Sequence, residues 1–234
     1  MALEGYHLPG QMSRWMRNRQ LSSRRRLAAI VAKGTTTPHV RRSTAYGLAV
    51  ERLGQFPSDE ARVLPTGLGN ALRALETYGE DVFRLDSQQL WYELLGTARP
   101  AVRQEQAEAR ALVDLFVAAI AAGIILSVLA TAVAIATRTV AAAVLAASAL
   151  AFCLVAYRGA VRNMKEWQNS VRALVNHGRS ELADALSMAL PKRLEDERLM
   201  WDAVCNVYAY RQDGWIPWLD VFRRASEQRR PSQQ

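Results

Sequence analysis

The chain has 234 residues, half of them hydrophobic, and a formal net charge of +8. That length is enough to bury a sizeable core, and a charged fraction of 22% excludes wholesale disorder. Two cysteines exclude a disulfide scaffold and a multi-cysteine zinc module.

Residues 1–40 read as a basic N-terminal arm. Arg14, Arg17, Arg19, Arg24, Arg25 and Arg26 cluster there, and no apolar h-region follows them, so no cleavable signal is expected. Met12, Trp15 and Met16 share a helical side among these arginines, which suits a helix lying on an anionic membrane surface. A nucleic-acid-binding arm is the rival reading, and a disordered basic leader the third. Gly34-Thr-Thr-Thr-Pro38 reads as a linker.

Residues 41–112 read as a cytoplasmic helical region. A helix is expected from Ser43 to Leu53, then a turn at Phe56 to Asp59. Next comes Leu64-Pro65-Thr66-Gly67-Leu68-Gly69-Asn70, leading into a helical pattern that includes Arg73. Glycines ahead of a helix suggest a phosphate cradle. Yet no lysine follows and no strand precedes, so a tight turn with Thr66 or Asn70 capping the helix is expected. Asp86 or Ser87 should cap a helix over Gln88 to Leu95. A charged helix from Val102 to Leu112 should run straight into the apolar run beyond it.

Residues 113–157 hold the most informative feature. Leu115 to Ala136 are 22 consecutive uncharged residues, and after Thr137-Arg138-Thr139 a second uncharged run covers Val140 to Tyr157. As helices these span roughly 33 and 27 Å, against a hydrocarbon core of roughly 30 Å. The first run contributes about -3 to -6 kcal/mol on an insertion scale and the alanine-rich second about -2 to -4, so the second inserts as half of a hairpin. An alanine-rich hairpin buried in a soluble bundle would need a polar stripe, and neither run has one at helical spacing. Arg99, Arg103 and Arg110 precede the hairpin; Arg158, Arg162, Lys165 and Arg172 follow it; Arg138 alone sits in the turn. The positive-inside rule therefore places both termini in the cytoplasm and the turn outside, in a plasma (inner) membrane. Asp114 falls at the head-group level within reach of Arg110. Ala119, Gly123 and Ser127 form a small-residue face suited to helix packing within the hairpin or between copies, as do Ala118 with Ala122 and Ala143 with Ala147.

Residues 158–222 read as a second cytoplasmic helical region. The second span should continue to Val175 and stop at Gly178, with His177 a helix-end residue bonding free carbonyls. Ser180 should cap the next helix, and Pro191 should end it. A further amphipathic helix is expected over Leu194 to Arg211, broken by Asp213-Gly214. Trp215 to Phe222 is either a membrane-interface anchor or the aromatic lid of a core. Residues 223–234 read as a disordered basic tail. The cysteines, Cys153 in a span and Cys205 in a later helix, are expected to remain unpaired.

The run Leu64 to Ala74, followed by Tyr78, Leu85-Asp86 and Trp91, resembles a group of uncharacterised actinobacterial membrane proteins. In that group a Leu-Pro-Thr-Arg-Leu-Gly-Asn turn precedes a paired membrane span, and a helical segment like His177 to Pro191 follows. The resemblance covers roughly residues 50 to 210 and implies localisation and topology, with no activity attached. Gly67 stands where the group's pattern has arginine. Relatives often carry a further pair of spans upstream, and residues 1–50 hold none, which implies a shortened version or a truncated start.

The expectation is an all-α integral membrane protein: a two-helix transmembrane hairpin with helical cytoplasmic flanks. No catalytic, metal or cofactor site is expected, because His7, His39 and His177 lie far apart with no ligand at metal spacing. Sixteen basic against eleven acidic residues over 1–110, and thirteen against ten over 158–234, point to a non-enzymatic scaffold or accessory subunit. Its partners would be membrane lipids, a membrane protein or a second copy. Arg14, Arg17, Arg24, Arg25, Arg26, Arg158 and Arg162 are the candidate anion-binding residues. Pro65, Thr66, Gly69, Asn70 and Arg73 form the candidate motif turn. An oligomeric channel or membrane-permeabilising protein is the alternative. A third reading is an enzyme acting on lipid phosphates near Thr66 to Arg73, in which replacing Asn70 and Arg73 would abolish activity and spare the fold.

Overall fold

The computed structural model describes residues 10–223. Among them every named element is helical, and the single β feature is an isolated bridge between Met188 and Arg223. The first nine residues of the expected arm and the tail beyond Arg223 lie outside the described residues. In chain order the helices are α1 (Gly10–Thr36), α2 (Pro38–Arg41), α3 (Thr44–Leu53), α4 (Gly67–Glu76) and α5 (Tyr78–Phe83). They continue with α6 (Trp91–Thr97), α7 (Pro100–Thr137), α8 (Val140–Ala185), α9 (Leu194–Val204) and α10 (Ile216–Asp220). The described residues form two compact units. One takes residues up to Leu75 with Gln104–Ser170; the other takes Glu76–Arg103 and residues from Val171 on.

In the first unit α1 packs on α3, and Met16, Gln20, Leu27 and Val31 form a half-buried stripe along α1. The expected linker at Gly34 is instead the last turn of this 27-residue helix. The Tyr46 ring lies against the bare Cα of Gly34 and leaves no room for a side chain, so here glycine serves close packing. The break falls at Thr37, whose extended backbone is the conformation favoured ahead of proline. Ser43 caps α3 by accepting the Tyr46 N–H at 3.2 Å, as its residue type predicts.

The apolar pair α7 and α8 turns back at Arg138, which sits in the left-handed region at φ 52°. Thr137 and Thr139 share a hydroxyl hydrogen bond of 2.8 Å beside it. On α7 the buried positions are Gln106, Val113, Ile120, Gly123 and Ala130, steps of seven and three that keep one seam facing one partner. On α8 the matching buried set is Ala149, Cys153, Ala156, Ala160 and Met164. Two glycines set the approach. A Cβ on Gly123 would lie 2.5 Å from Cys153 Sγ, and one on Gly159 would lie 2.5 Å from the Phe116 ring.

The second unit has its own core of Leu85, Leu94, Leu174, Leu182, Met200 and Trp201, each under 2% exposed. Three expectations are corrected here. Gly178 does not stop α8, Ser180 does not cap a new helix, and His177 is mid-helix: α8 runs on to Ala185. Leu174, Gly178 and Leu182 lie at four-residue steps on one buried face that packs against Leu94, where a Cβ on Gly178 would meet the Leu94 side chain at 3.4 Å, ordinary contact. That tertiary contact outweighs the roughly 1 kcal/mol helix cost of glycine. Ser180 donates its hydroxyl to the His177 carbonyl at 2.8 Å. The actual stop is Ser187 at φ 60°, after which Met188 N–H returns to Ala183 O at 2.8 Å. The helix expected over Gln88 to Leu95 starts later, at Trp91. Asp86 Oδ1 accepts the Gln88 and Gln89 N–H groups, each at 3.1 Å, and holds the preceding residues as a turn. Past Val204 the chain winds on as a π-helical turn, Cys205–Ala209, before it leaves the helix at Arg211, φ 55°.

Candidate functional site

The surface of α7 and α8 is the first feature that needs a chemical partner. Both helices are long and apolar enough to cross a membrane, yet only 17% of the most apolar stretch of each is buried. A soluble bundle core would be mostly buried. Instead Ile125, Leu129, Ile135, Val144, Leu150 and Val155 point outward, with Ile135 74% exposed. So large a contiguous apolar surface is not left facing water in a stable monomer. The two hydroxyls of the first span are satisfied internally: Ser127 donates to Ala146 O at 3.1 Å, and Thr131 to Ser127 O at 2.7 Å. Of the small residues expected at the packing face, Gly123 is buried in the seam, while Ala119 and Ser127 are half-buried at its edge. Ala118 and Ala122 face outward. Asp114 pairs with Arg110 one turn before the apolar run, at 3.5 Å, with both side chains exposed.

The candidate anion-binding arginines divide into two groups. Arg17 donates to the Val63 and Ala61 carbonyls, both at 2.8 Å. Arg24 donates to Pro57 O at 3.1 Å, to Ser58 O, and to Glu60 Oε1 at 2.9 Å. Arg25 meets Glu60 Oε2 at 2.8 Å. Together they fasten the segment 57–63, including the short 3₁₀ turn Glu60–Arg62, along α1. The Arg25 guanidinium, with Arg24 beside it, holds the Glu60 carboxyl below the usual carboxylate range. Arg14 donates to Gly10 O on its own helix, and Arg26, Arg158 and Arg162 are exposed. Nothing in the sequence marks Arg17 and Arg24 as clamps, since their acceptors are backbone carbonyls more than thirty residues away.

The motif turn is built from hydrogen bonds onto backbone. Thr66 caps α4 by accepting the Gly69 N–H at 3.0 Å, the role expected of it. Asn70 does something else. It is 1% exposed, and its amide both accepts the Leu64 N–H at 2.6 Å and donates to Leu64 O at 3.0 Å. Both ends of that side chain are therefore occupied by its own loop. Two residues that sequence reasoning passed over hold this turn against α8. The Tyr157 hydroxyl accepts the Leu68 N–H at 3.4 Å, and Gln168 Nε2 donates to Ala71 O at 2.7 Å. At Gly67, where arginine was expected, a Cβ would sit 3.7 Å from the Tyr157 hydroxyl, ordinary contact. Pro65 and Arg73, with Ser13, Arg17 and Arg62, line a cleft of about 420 Å³ beside the turn.

In the second unit Arg179 joins Glu197 at 2.7 Å and stacks 4.4 Å over the Phe83 ring, while Trp201 Nε1 donates to the same Glu197 oxygen at 3.2 Å. The Asp86 N–H donates to Cys205 Sγ at 3.2 Å, and Tyr210 donates its hydroxyl to Asp86 Oδ2 at 2.6 Å. Burial pushes the Cys205 thiol up to about 12, and the bond to Asp86 raises the Tyr210 phenol to about 12. A thiol so poised is not a nucleophile near neutral pH. Both cysteines are free and buried. Of the Trp215 to Phe222 segment, Leu219 is fully buried and Trp218 is 62% exposed. Among the described residues no group of histidine, cysteine and carboxylate side chains could hold a metal ion.

Compared with family models, with curated proteins and with solved structures, the chain finds no match.

Proposed function

We propose that the chain is a two-span integral membrane protein whose helical flanks form a non-enzymatic scaffold or accessory subunit. It sits in the plasma (inner) membrane with both termini cytoplasmic, and its basic cytoplasmic face takes a protein partner or anionic lipid. One observation carries the reading: α7 and α8 hold a continuous apolar surface outward while the rest of the chain has its own buried cores. The asymmetry of arginines about the hairpin supports the orientation. The candidate motif residues support a scaffold rather than a catalyst, because Thr66 and Asn70 are engaged with neighbouring backbone. No observation favours a channel: the hydroxyls of Ser127 and Thr131 are turned onto backbone carbonyls, and no charged side chain lies within either apolar run.

Alkaline washing of membranes from expressing cells tests the anchor. Retention in the pellet with the lipid is expected. Release into the wash would mean that the apolar faces are covered by protein.

A further inference from the structure

Between Gly10 and Thr36 the chain carries six arginines, one lysine and no carboxylate. Arg17, Arg24 and Arg25 are turned to the 57–63 segment. Arg19, Arg26 and Lys33 are exposed on the other side of the helix. Exposed with them are Met12, Trp15 and Ile30, the indole 63% open. At 100° per residue Met12, Trp15, Arg19, Ser22, Arg26, Ile30 and Lys33 fall in one stripe roughly 80° wide. The Arg19 guanidinium sits 5.9 Å over the Trp15 ring, so one ring carries both an apolar body and a cationic neighbour.

We infer that this face of α1 lies in the head-group region of an anionic bilayer, with Trp15 and Met12 entering the interface and Arg19, Arg26 and Lys33 meeting lipid phosphates. The inference rests on the proposed membrane reading, because α1 belongs to the same compact unit as the apolar parts of α7 and α8. Charge selects the occupant. A helix whose outer face holds cations and no acid, interleaved with tryptophan and methionine, matches an interfacial helix on anionic lipid. A free phosphate would satisfy the arginines and leave Trp15, Met12 and Ile30 in water. The opposite side of the helix is already committed to α3 and the 57–63 segment, which leaves the side bearing this stripe to face lipid.

The test uses the full chain in nanodiscs of phosphatidylcholine, with or without phosphatidylglycerol. An environment-sensitive fluorophore is placed at Met12→Cys, and in a separate variant at Val128→Cys; the native cysteines are buried and stay unlabelled. The label at position 12 should be quenched by lipid-borne nitroxide in the anionic discs and much less in the neutral ones. Arg19→Gln, Arg26→Gln and Lys33→Gln together should lower the docking equilibrium about a hundredfold, since each cation near such a surface contributes about fivefold. Quenching at position 128 with none at position 12 in either disc would overturn this inference alone. A label at position 12 shielded from water and untouched by lipid quencher would also overturn it, in favour of a protein surface. No quenching at position 128 would overturn the membrane reading beneath it.

Discussion

Gly123 and Cys153 face each other across the hairpin so closely that a single methyl on Gly123 would lie 2.5 Å from the sulfur. The thiol in turn points at Ile120 O, 3.6 Å away. Small residues are how helices approach closely where the solvent is itself apolar. Gly123→Ala should therefore weaken α7–α8 pairing by about 1–3 kcal/mol, the usual cost of overpacking. Cys153→Ala in the same chain should restore much of it by removing the sulfur. A double-mutant cycle on unfolding in detergent checks the coupling; additive effects would show that the two residues do not share this contact.

Asn70→Ala would leave the Leu64 N–H and carbonyl without partners. An unsatisfied buried backbone group costs about 1–3 kcal/mol, so the motif turn should lose roughly 2–4 kcal/mol. Asn70→Asp keeps the acceptor but sets a buried carboxylate oxygen against Leu64 O, and should cost at least as much. Thermal unfolding of the purified chain measures both. An Asn70→Ala protein as stable as the parent would point instead to a role for this residue outside the fold.

The arginines of α1 should separate by position. The Arg24 side chain is 13% exposed and its bonds run to Pro57, Ser58 and Glu60. Arg24→Ala should cost about 1–3 kcal/mol, whereas Arg26→Ala on the exposed face should change stability by less than about 0.5 kcal/mol. Limited proteolysis between Pro57 and Val63 reads this directly: cleavage rises in the first variant and not in the second.

Glu60 gives the same contact an acid limit. Its folded value is depressed, chiefly by the bond from Arg25, so its contribution is present above the ordinary carboxylate range and is lost as pH falls through the folded value. Proteolysis of the 57–63 segment should therefore increase under acid, and Glu60→Gln should abolish that pH dependence.

Cys205 gives the second unit an alkaline limit. The folded thiol titrates at about 12 against an ordinary value of 9.0, so its contribution is whole below pH 9.0 and is lost as pH rises toward 12. Tyr210 acts in the same direction. Stability of the second unit should decline above pH 9.0, and Cys205→Ala should flatten the decline. At about pH 8, below the ordinary thiol value, iodoacetamide should leave Cys205 unmodified until the chain unfolds. Rapid alkylation of the native protein would contradict the buried thiol.

The α7–α8 hairpin was legible from sequence because uninterrupted apolar length is a local property, and so was the Thr66 cap. The glycines were not. Gly34 and Gly178 look like helix stops one residue at a time, but Gly34 serves a close approach to Tyr46 and Gly178 is carried through on a face buried against Leu94. Tertiary packing decided both. The clamp formed by Arg17 and Arg24 was hidden for a related reason: carbonyl acceptors leave no trace in side-chain identity. Asn70 was legible as a residue of the turn, whereas its grip on Leu64 depends on the path of a loop that only the fold supplies.

Cysteine accessibility at the hairpin tip tests the central claim most directly. Arg138 already occupies the left-handed region, so Arg138→Cys adds little backbone strain. Tyr92, 83% exposed, offers a second site in Tyr92→Cys. In intact cells a membrane-impermeant maleimide should label position 138 at once and position 92 only after permeabilisation. Labelling of position 138 only after permeabilisation, together with position 92, would contradict a hairpin that crosses the membrane with its flanks in the cytoplasm.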